Sequence, residues 1–306
     1  MLKKTYYSNG KLLVTGEYVV LDGAMALALP TQFGQNLIVE PGKSKEINWK
    51  SFDADGTTWF EENFSFDTIL HENKDFIDNP IHRRLVGILH EAFQMNPDFL
   101  LADYGYQITT QLSFPKNWGL GTSSTLINNL SQWLKIDAFE LLQRSFGGSG
   151  YDIACAKKDT PIVYQLLHNE PHYRPVDFYP PFHQHLYFVY LNRKQNSQSA
   201  IANYINKQNE IGKTIEKINT ITKNSIATSD LKSFAYEMEK HETILSDLLE
   251  MNTIKEAFFD DFNGVVKSLG AWGGDFVLAI TKEDPTGYFK ERGFETVIPY
   301  EKMILQ

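Results

Sequence analysis

The sequence predicts an α+β protein of two domains, and three observations carry that expectation. The apolar residues switch repeatedly between the two-residue period of strands and the longer period of helices along the 306-residue chain. The composition is that of an ordinary globular protein, 42% hydrophobic and 22% charged, and the length suffices for two cores. Four prolines crowd into Glu170–His183 and interrupt both periods, which places a boundary between residues 1–175 and 176–306.

The elements follow in chain order. Lys11–Leu21 is apolar and rich in β-branched residues, a buried strand or hairpin. A helix begins at Pro80, a favoured first-turn residue, with Ile81, Leu85, Ile88, Leu89, Ala92 and Phe93 on its apolar face. Tyr104, Tyr106, Ile108, Thr110 and Leu112 alternate with other residues as in a half-buried strand. A second helix follows the turn at 119–121, with Leu126, Ile127, Leu130, Trp133 and Leu134 on one face. Strand-like runs recur at Pro161–Leu167, Leu186–Leu191 and Asp275–Thr281. The second half adds helices striped by Ile201, Tyr204 and Ile205, then by Leu231, Phe234, Met238, Leu245 and Leu248.

Composition excludes several classes of function. The lone cysteine, Cys155, has no intrachain partner, which suits a reducing cytoplasm. The opening Met1-Leu-Lys-Lys-Thr-Tyr-Tyr lacks the apolar core of a signal peptide, and no apolar run approaches the ~20 residues of a membrane span. The net charge is −9 and no block of lysine and arginine stands out, so neither nucleic acid nor a membrane is expected as partner. A small-molecule substrate fits better, handled by a monomer or homodimer.

Three glycine-bearing segments carry chemistry. The first is Pro115-Lys-Asn-Trp-Gly119-Leu120-Gly121-Thr122-Ser123-Ser124, between a strand and an amphipathic helix. Small residues let backbone approach a ligand, and the first helical N–H groups point into the turn as an anion site. A plain helix N-cap by Ser or Thr serves equally well for this segment alone. It matches neither G-x-x-x-x-G-K-[ST] nor G-x-G-x-x-G. The second is Gly147-Gly-Ser149-Gly150-Tyr-Asp152, where a carboxylate follows a glycine turn; by itself this reads first as a turn aspartate satisfying its own backbone. The third, Lys267-Ser-Leu-Gly270-Ala-Trp-Gly273-Gly274-Asp275, is a tight turn before a strand.

Taken together with Asn9-Gly10-Lys11-Leu-Leu-Val-Thr-Gly16-Glu17-Tyr18, these segments resemble the GHMP kinases along nearly the whole chain, in order and at plausible spacing. The segment at 115–124 resembles the family's P-x-x-x-G-L-G-S-S-A, with Thr122 and Ser124 as departures. The opening resembles the G-K…G-E-H/Y of mevalonate and phosphomevalonate kinases, and Gly148–Asp152 resembles their G-S-G-x-D. Leu269-Gly270 stands where diphosphomevalonate decarboxylases carry an aspartate ahead of Ala-Gly, which disfavours that branch.

The resemblance implies a GHMP kinase fold, an N-terminal ribosomal-S5-like α/β domain holding ATP and a ferredoxin-like C-terminal domain. It implies ATP and Mg²⁺ as cofactors and a mevalonate-like acceptor. Pro115, Gly119, Leu120, Gly121, Thr122, Ser123 and Ser124 would hold the nucleotide, with Ser123 also on Mg²⁺. Asp152 would be the catalytic base, and Lys11 would keep it ionised while neutralising charge on the transferring group. Glu17, Tyr18, Ser149, Gly150, Gly273, Gly274 and Asp275 would face the acceptor.

Two departures stand out. Asn9 replaces a proline, and Trp272 replaces a glycine of the third segment. An indole there crowds the phosphate loop, lines the acceptor pocket, or marks a silent member of the fold that only binds a ligand. Glu140 is a weaker candidate for the carboxylate that usually accompanies Mg²⁺. Arg193 and Lys194 end a strand ahead of Asn-Ser-Gln-Ser, which reads first as an exposed strand end and second as a seat for a substrate phosphate. His90-Glu91 and His241-Glu242 lack a second histidine at metalloprotease spacing and read as ordinary helix residues.

Overall fold

The computed structural model describes residues 2–72, 77–192, 204 and 211–306. These form two compact units that interleave along the chain: residues 1–10, 33–116 and 121–157 make the first, and 11–32, 117–120 and 158–306 the second.

In the first unit, strands β3 (Glu46–Phe52), β4 (Thr58–Ser65) and β5 (Tyr106–Leu112) join the C-terminal half of β2 (Ala26–Pro41) in the order β4-β3-β5-β2. β3 runs parallel to β5 with Ile47 opposite Tyr106, while β5 is antiparallel to β2 with Gln35 opposite Leu112. The alternation predicted from Tyr106 to Leu112 is thus a real strand, with Tyr106, Ile108, Thr110 and Leu112 buried. Tyr104 lies outside it and is exposed.

Helices α1 (Phe66–Leu70), α2 (Pro80–Met95), α3 (Thr122–Leu134), α4 (Ala138–Ser145) and α5 (Tyr151–Ala156) complete this unit. Asn79 caps α2 ahead of Pro80, and Leu85, Ile88, Leu89 and Ala92 enter the core as their spacing predicts. Ile81 is exposed instead. Ile127, Leu130, Trp133 and Leu134 of α3 pack into the same core as Trp49 and Phe64 from the sheet.

In the second unit, β6 (Ile162–Leu167) pairs with the N-terminal half of β2 and with β7 (Glu170–Pro175). A separate sheet has the order β11-β8-β10-β9, from β8 (Leu186–Tyr190), β9 (Val265–Leu269), β10 (Phe276–Ile280) and β11 (Val297–Pro299), all neighbours antiparallel. Between β8 and β9 come α6 (Ile211–Ala227), α7 (Leu231–Leu249) and α8 (Ile254–Phe258), and between β10 and β11 comes α9 (Thr286–Glu291). That β-α-β-β-α-β arrangement is the ferredoxin-like one. Short α10 (Tyr300–Met303) ends the chain's regular structure.

Two sequence expectations are corrected. The proline-rich stretch is not uniformly irregular, because Glu170–Pro175 forms β7 at the margin of its sheet, where missing N–H donors do no harm. The apolar run to Leu21 does not stay extended. Strand β1 (Lys4–Thr15) stops ahead of Gly16, whose φ is +89°, and Val19–Asp22 closes a 3-10 turn. Val19 and Val20 are buried there as they would be in a strand, so burial alone does not separate the two. Tyr204 is helical and fully buried. Its predicted stripe partners Ile201 and Ile205, and the cations Arg193 and Lys194, lie outside the described residues.

Candidate active site

Within the first unit, α3 begins at Gly121, whose φ is +101°, and no side chain caps it. The Ser and Thr hydroxyls therefore do not serve as the N-cap that local sequence allowed. Ser124 is buried and its Oγ donates to the Gly121 carbonyl at 2.9 Å, while Thr125 Oγ1 donates to Gln35 Oε1 at 2.8 Å. Ser123 is exposed. An uncapped helix start with a glycine behind it leaves amides that favour an anion.

Helix α5 packs against α3 and starts at Gly150, with φ of +85°. Asp152 stands in its first turn, half-buried, and its Oδ1 accepts the Ile153 amide at 3.0 Å. Ser149 and Gly150 beside it are buried. Pro115 is half-buried after β5, followed by Lys116, whose amide donates to Asp53 at 2.9 Å. Glu140 is engaged by Arg144 at 2.6 Å, an intrahelical pair that leaves it a poor metal ligand. His90 Nδ1 lies 2.8 Å from the Ile69 carbonyl and its Nε2 3.4 Å from Gln94 Nε2, ordinary contacts of a helix residue.

Within the second unit, residues of three separated segments touch. The Lys11 amide donates to the Leu120 carbonyl at 2.9 Å, and Lys11 Nζ lies 3.4 Å from the Gly119 carbonyl. Leu120 is fully buried, which anchors that turn. Asp275 presses its carboxylate against Gly119 so closely that a Cβ on Gly119 would sit 1.9 Å from Asp275 Oδ2. Tyr190 donates its hydroxyl to the Asn117 carbonyl at 3.0 Å, and burial followed by the Asp275 charge raises its pKa. Trp118 stands edge-on to Phe276 at 5.5 Å.

Glu17 and Tyr18 are turned inward, both nearly inaccessible. Lys267 Nζ, itself fully buried, donates to Glu17 Oε1 at 2.5 Å and to the Ser268 carbonyl at 2.7 Å. Tyr18 takes the Trp272 amide on its hydroxyl at 2.6 Å. The Trp272 indole is buried and donates to the Asn252 carbonyl at 3.1 Å, so it is a core side chain of this unit. Gly274 closes the turn onto the Ala271 carbonyl at 3.0 Å, and Gly273 has φ of +67° with open space where a Cβ would go.

The expectation that His241 and Glu242 are ordinary helix residues is corrected here, since both are buried in this cluster. His241 Nε2 accepts the Gly16 amide at 2.9 Å. Burial first, then the Lys267 charge, holds its pKa well below 6.5, so the ring is neutral. The same nitrogen is 3.3 Å from Glu17 Oε2, but a neutral ring already accepting a proton there makes no ion pair. Glu242 accepts the Ser268 amide at 3.1 Å and its hydroxyl at 2.9 Å. Burial raises the pKa of both Glu17 and Glu242, against the lowering effect of Lys267. A signal for α7 was present: the stripe through Phe234, Met238 and Leu245 requires a buried residue at 241–242, and polar ones occupy those places. Lys267 likewise follows two valines, Val265 and Val266, in a strand.

Among the described residues, no group of His, Cys, Asp and Glu forms a metal-holding cluster, and no helix is long and apolar enough to cross a membrane.

Solved structures of several kinases share this fold. The Methanococcus jannaschii mevalonate kinase aligns with 97% of this chain and 96% of its own, at TM-score 0.69 and 16% identity. The Streptococcus pneumoniae phosphomevalonate kinase, in complex with phosphomevalonate and AMPPNP, aligns with 95% of this chain and 96% of its own, at TM-score 0.66 and 16% identity. The Lactococcus lactis galactokinase complexed with galactose aligns with 94% and 88%, at TM-score 0.65 and 14% identity. The chain therefore has the α+β fold of the GHMP kinases. No protein-family model matches it, and no curated protein matches it in sequence.

Proposed function

We propose that the chain is an ATP-dependent small-molecule kinase of the GHMP type, moving the γ-phosphoryl group to a hydroxyl of a mevalonate-like acceptor, phosphomevalonate or mevalonate. The observation that carries this reading is the meeting of Lys11 with Gly119 and Leu120, and of Asp275 with Gly119. Segments far apart in sequence that share glycine turns, a cation and a carboxylate suit phosphate chemistry. The proposal includes an ATP-binding domain over 1–175, a C-terminal domain over 176–306, and a cytoplasmic setting.

Phosphoryl transfer passes through a loose transition state, so catalysis is chiefly positioning and charge neutralisation. The uncapped start of α3 and the 119–121 turn are the proposed seat of the ATP phosphates, with Pro115 and Thr122–Ser124 flanking it. Ser123, exposed beside that turn, would be the residue that holds Mg²⁺. Mg²⁺ bound with ATP would neutralise charge on the phosphate oxygens. Asp152 is the proposed base for the acceptor hydroxyl, and Lys11 the cation beside the transferring group. Ser149, Gly150, Gly273, Gly274 and Asp275 are proposed to face the acceptor. Glu17 and Tyr18, being buried, are better suited to shaping that turn from behind.

A silent protein of the same fold is the other reading, and Trp272 is the residue it rests on. That indole is packed and hydrogen-bonded in the interior, which gives it a structural reason to be there.

The test is ADP release over mevalonate, phosphomevalonate, homoserine and hexoses, beside calorimetry with ATP. Asp152→Asn should lower turnover on the accepted substrate by ~10²-fold or more with ATP affinity little changed. Lys11→Met should act comparably, and the double variant should lose much less than the product if the two work as one unit. Near-normal turnover in Asp152→Asn would remove it as base. No nucleotide binding by the wild type would sink the kinase reading.

A further inference from the structure

We infer that His241 is a positioning residue: as a hydrogen-bond acceptor it holds the Gly16–Tyr18 segment, which in turn sets the backbone of the Gly270–Asp275 turn. The inference rests on the kinase reading only where it predicts turnover, and every contact it uses lies within the second unit.

The chain of contacts starts at the histidine. Its Nε2 accepts the Gly16 amide, so the ring proton sits on Nδ1, which is buried and finds no acceptor among the described residues. A fully buried ring that leaves one donor unmet carries a cost, which the contact made by its other nitrogen helps to offset. Gly16 is itself tightly hemmed: a Cβ there would come within 2.8 Å of the Ala26 Cβ and 2.9 Å of the Met25 carbonyl. Two residues later Tyr18 adopts φ of 62° and ψ of −56°, an uncommon conformation for a non-glycine residue. Such a backbone persists only where its surroundings over-determine it.

What this strained segment does is visible in its two side chains. Tyr18 accepts the Trp272 amide, and the Glu17 carboxylate binds Lys267 of β9 while the Gly270 amide lies close enough to stabilise its charge. Consecutive residues thus grip the glycine turn at its start and its middle. Glu242, next to His241 on α7, grips β9 just ahead of the turn through Ser268 and takes the Ile254 amide at 3.3 Å. The charged groups acting on His241 are Glu17 from the first segment and Lys267 from β9, with Glu242 the next residue on its own helix. The same turn ends in Asp275 against Gly119, so its placement reaches the proposed phosphate seat.

The experiment compares His241→Gln, which keeps an acceptor at the ε position, with His241→Leu, which keeps apolar volume only. Amide hydrogen exchange at Gly16 and Trp272 is read by residue, with melting and, where present, kcat and KM on the same samples. In His241→Leu both amides should exchange ~10-fold faster or more, the weight of one hydrogen bond, and His241→Gln should stay near wild type. A volume-filling histidine predicts the reverse ranking, because leucine suits a buried site better than glutamine, and that ranking would overturn the inference. Should His241→Leu fail to fold, Tyr18→Phe tests the next link: Trp272 should lose protection while Gly16 keeps it. Unchanged protection at Trp272 would again overturn it. If the wild type releases no ADP on any acceptor but the exchange ranking holds, the kinase reading fails and the positioning role stands. If the wild type turns over, KM should rise in His241→Leu and recover in His241→Gln.

Discussion

Gly119→Ala is the sharpest probe of the proposed phosphate turn, because the structure supplies its own control. Gly119 and Gly273 have the same φ, +67°. Placing an L-residue in the left-handed region costs ~1–2 kcal/mol at either position. The surroundings differ. At Gly119 the new Cβ meets Asp275 Oδ2 at 1.9 Å, Cγ at 2.3 Å and Cβ at 2.9 Å, whereas at Gly273 nothing lies within 4 Å. The aspartate must move, and forcing an atom into filled space costs about 1–3 kcal/mol more. At about 2 °C per kcal/mol for a chain of this size, Gly119→Ala should melt about 2–6 °C below Gly273→Ala. Asp275→Gly removes all three clashing atoms. In that background Gly119→Ala should lose no more than Gly273→Ala loses in the wild type, a coupling that a double-mutant cycle reads directly. Equal melting losses for the two alanine variants in the wild-type background would refute the close approach of Asp275 to Gly119.

Two further outcomes follow from burial. Trp272→Gly, which restores the glycine of the family pattern, should destabilise by ~3–5 kcal/mol because it empties a packed site, and chemical denaturation should show it; a neutral effect would mean the indole is not core. His241 should make stability pH-dependent. Its folded pKa lies well below the unfolded 6.5, so its contribution is present above about pH 6.5 and is lost as pH falls toward the folded value, by up to about 1.4 kcal/mol per pH unit. The raised pKa of Glu17 and Glu242 acts in the opposite sense but is common to both proteins. The difference between wild type and His241→Gln in melting temperature against pH therefore isolates the histidine: below pH 6.5 the wild type should fall more steeply, and parallel curves would contradict a buried neutral ring.

Local order was legible wherever a pattern closes within a few residues. The strand at Tyr106–Leu112 and the helices at Pro80–Met95 and Thr122–Leu134 stand where alternation and helical spacing put them, since side-chain direction repeats every two or 3.6 residues regardless of context. Glycine turns were legible for the same reason: Gly121 and Gly150 do open helices with positive φ. The apolar run through Val19 and Val20 misled, because burial on every side erases the periodicity that would tell a strand from a turn.

What the chain left undetermined is which distant partners share a buried charge. Glu17 and Lys267 are 250 positions apart, and nothing near either residue says that one neutralises the other. Taken in isolation, each reads as a solvated residue or a ligand contact, because an unpaired charge in an apolar interior is too unfavourable to assume. The same holds for His241 and Glu242, whose places on α7 demanded burial while their chemistry argued for the surface. Only the tertiary fold resolves that conflict, by bringing an ammonium, two carboxylates, a neutral imidazole and the amides of two turns into one desolvated cluster where each offsets the burial of the next.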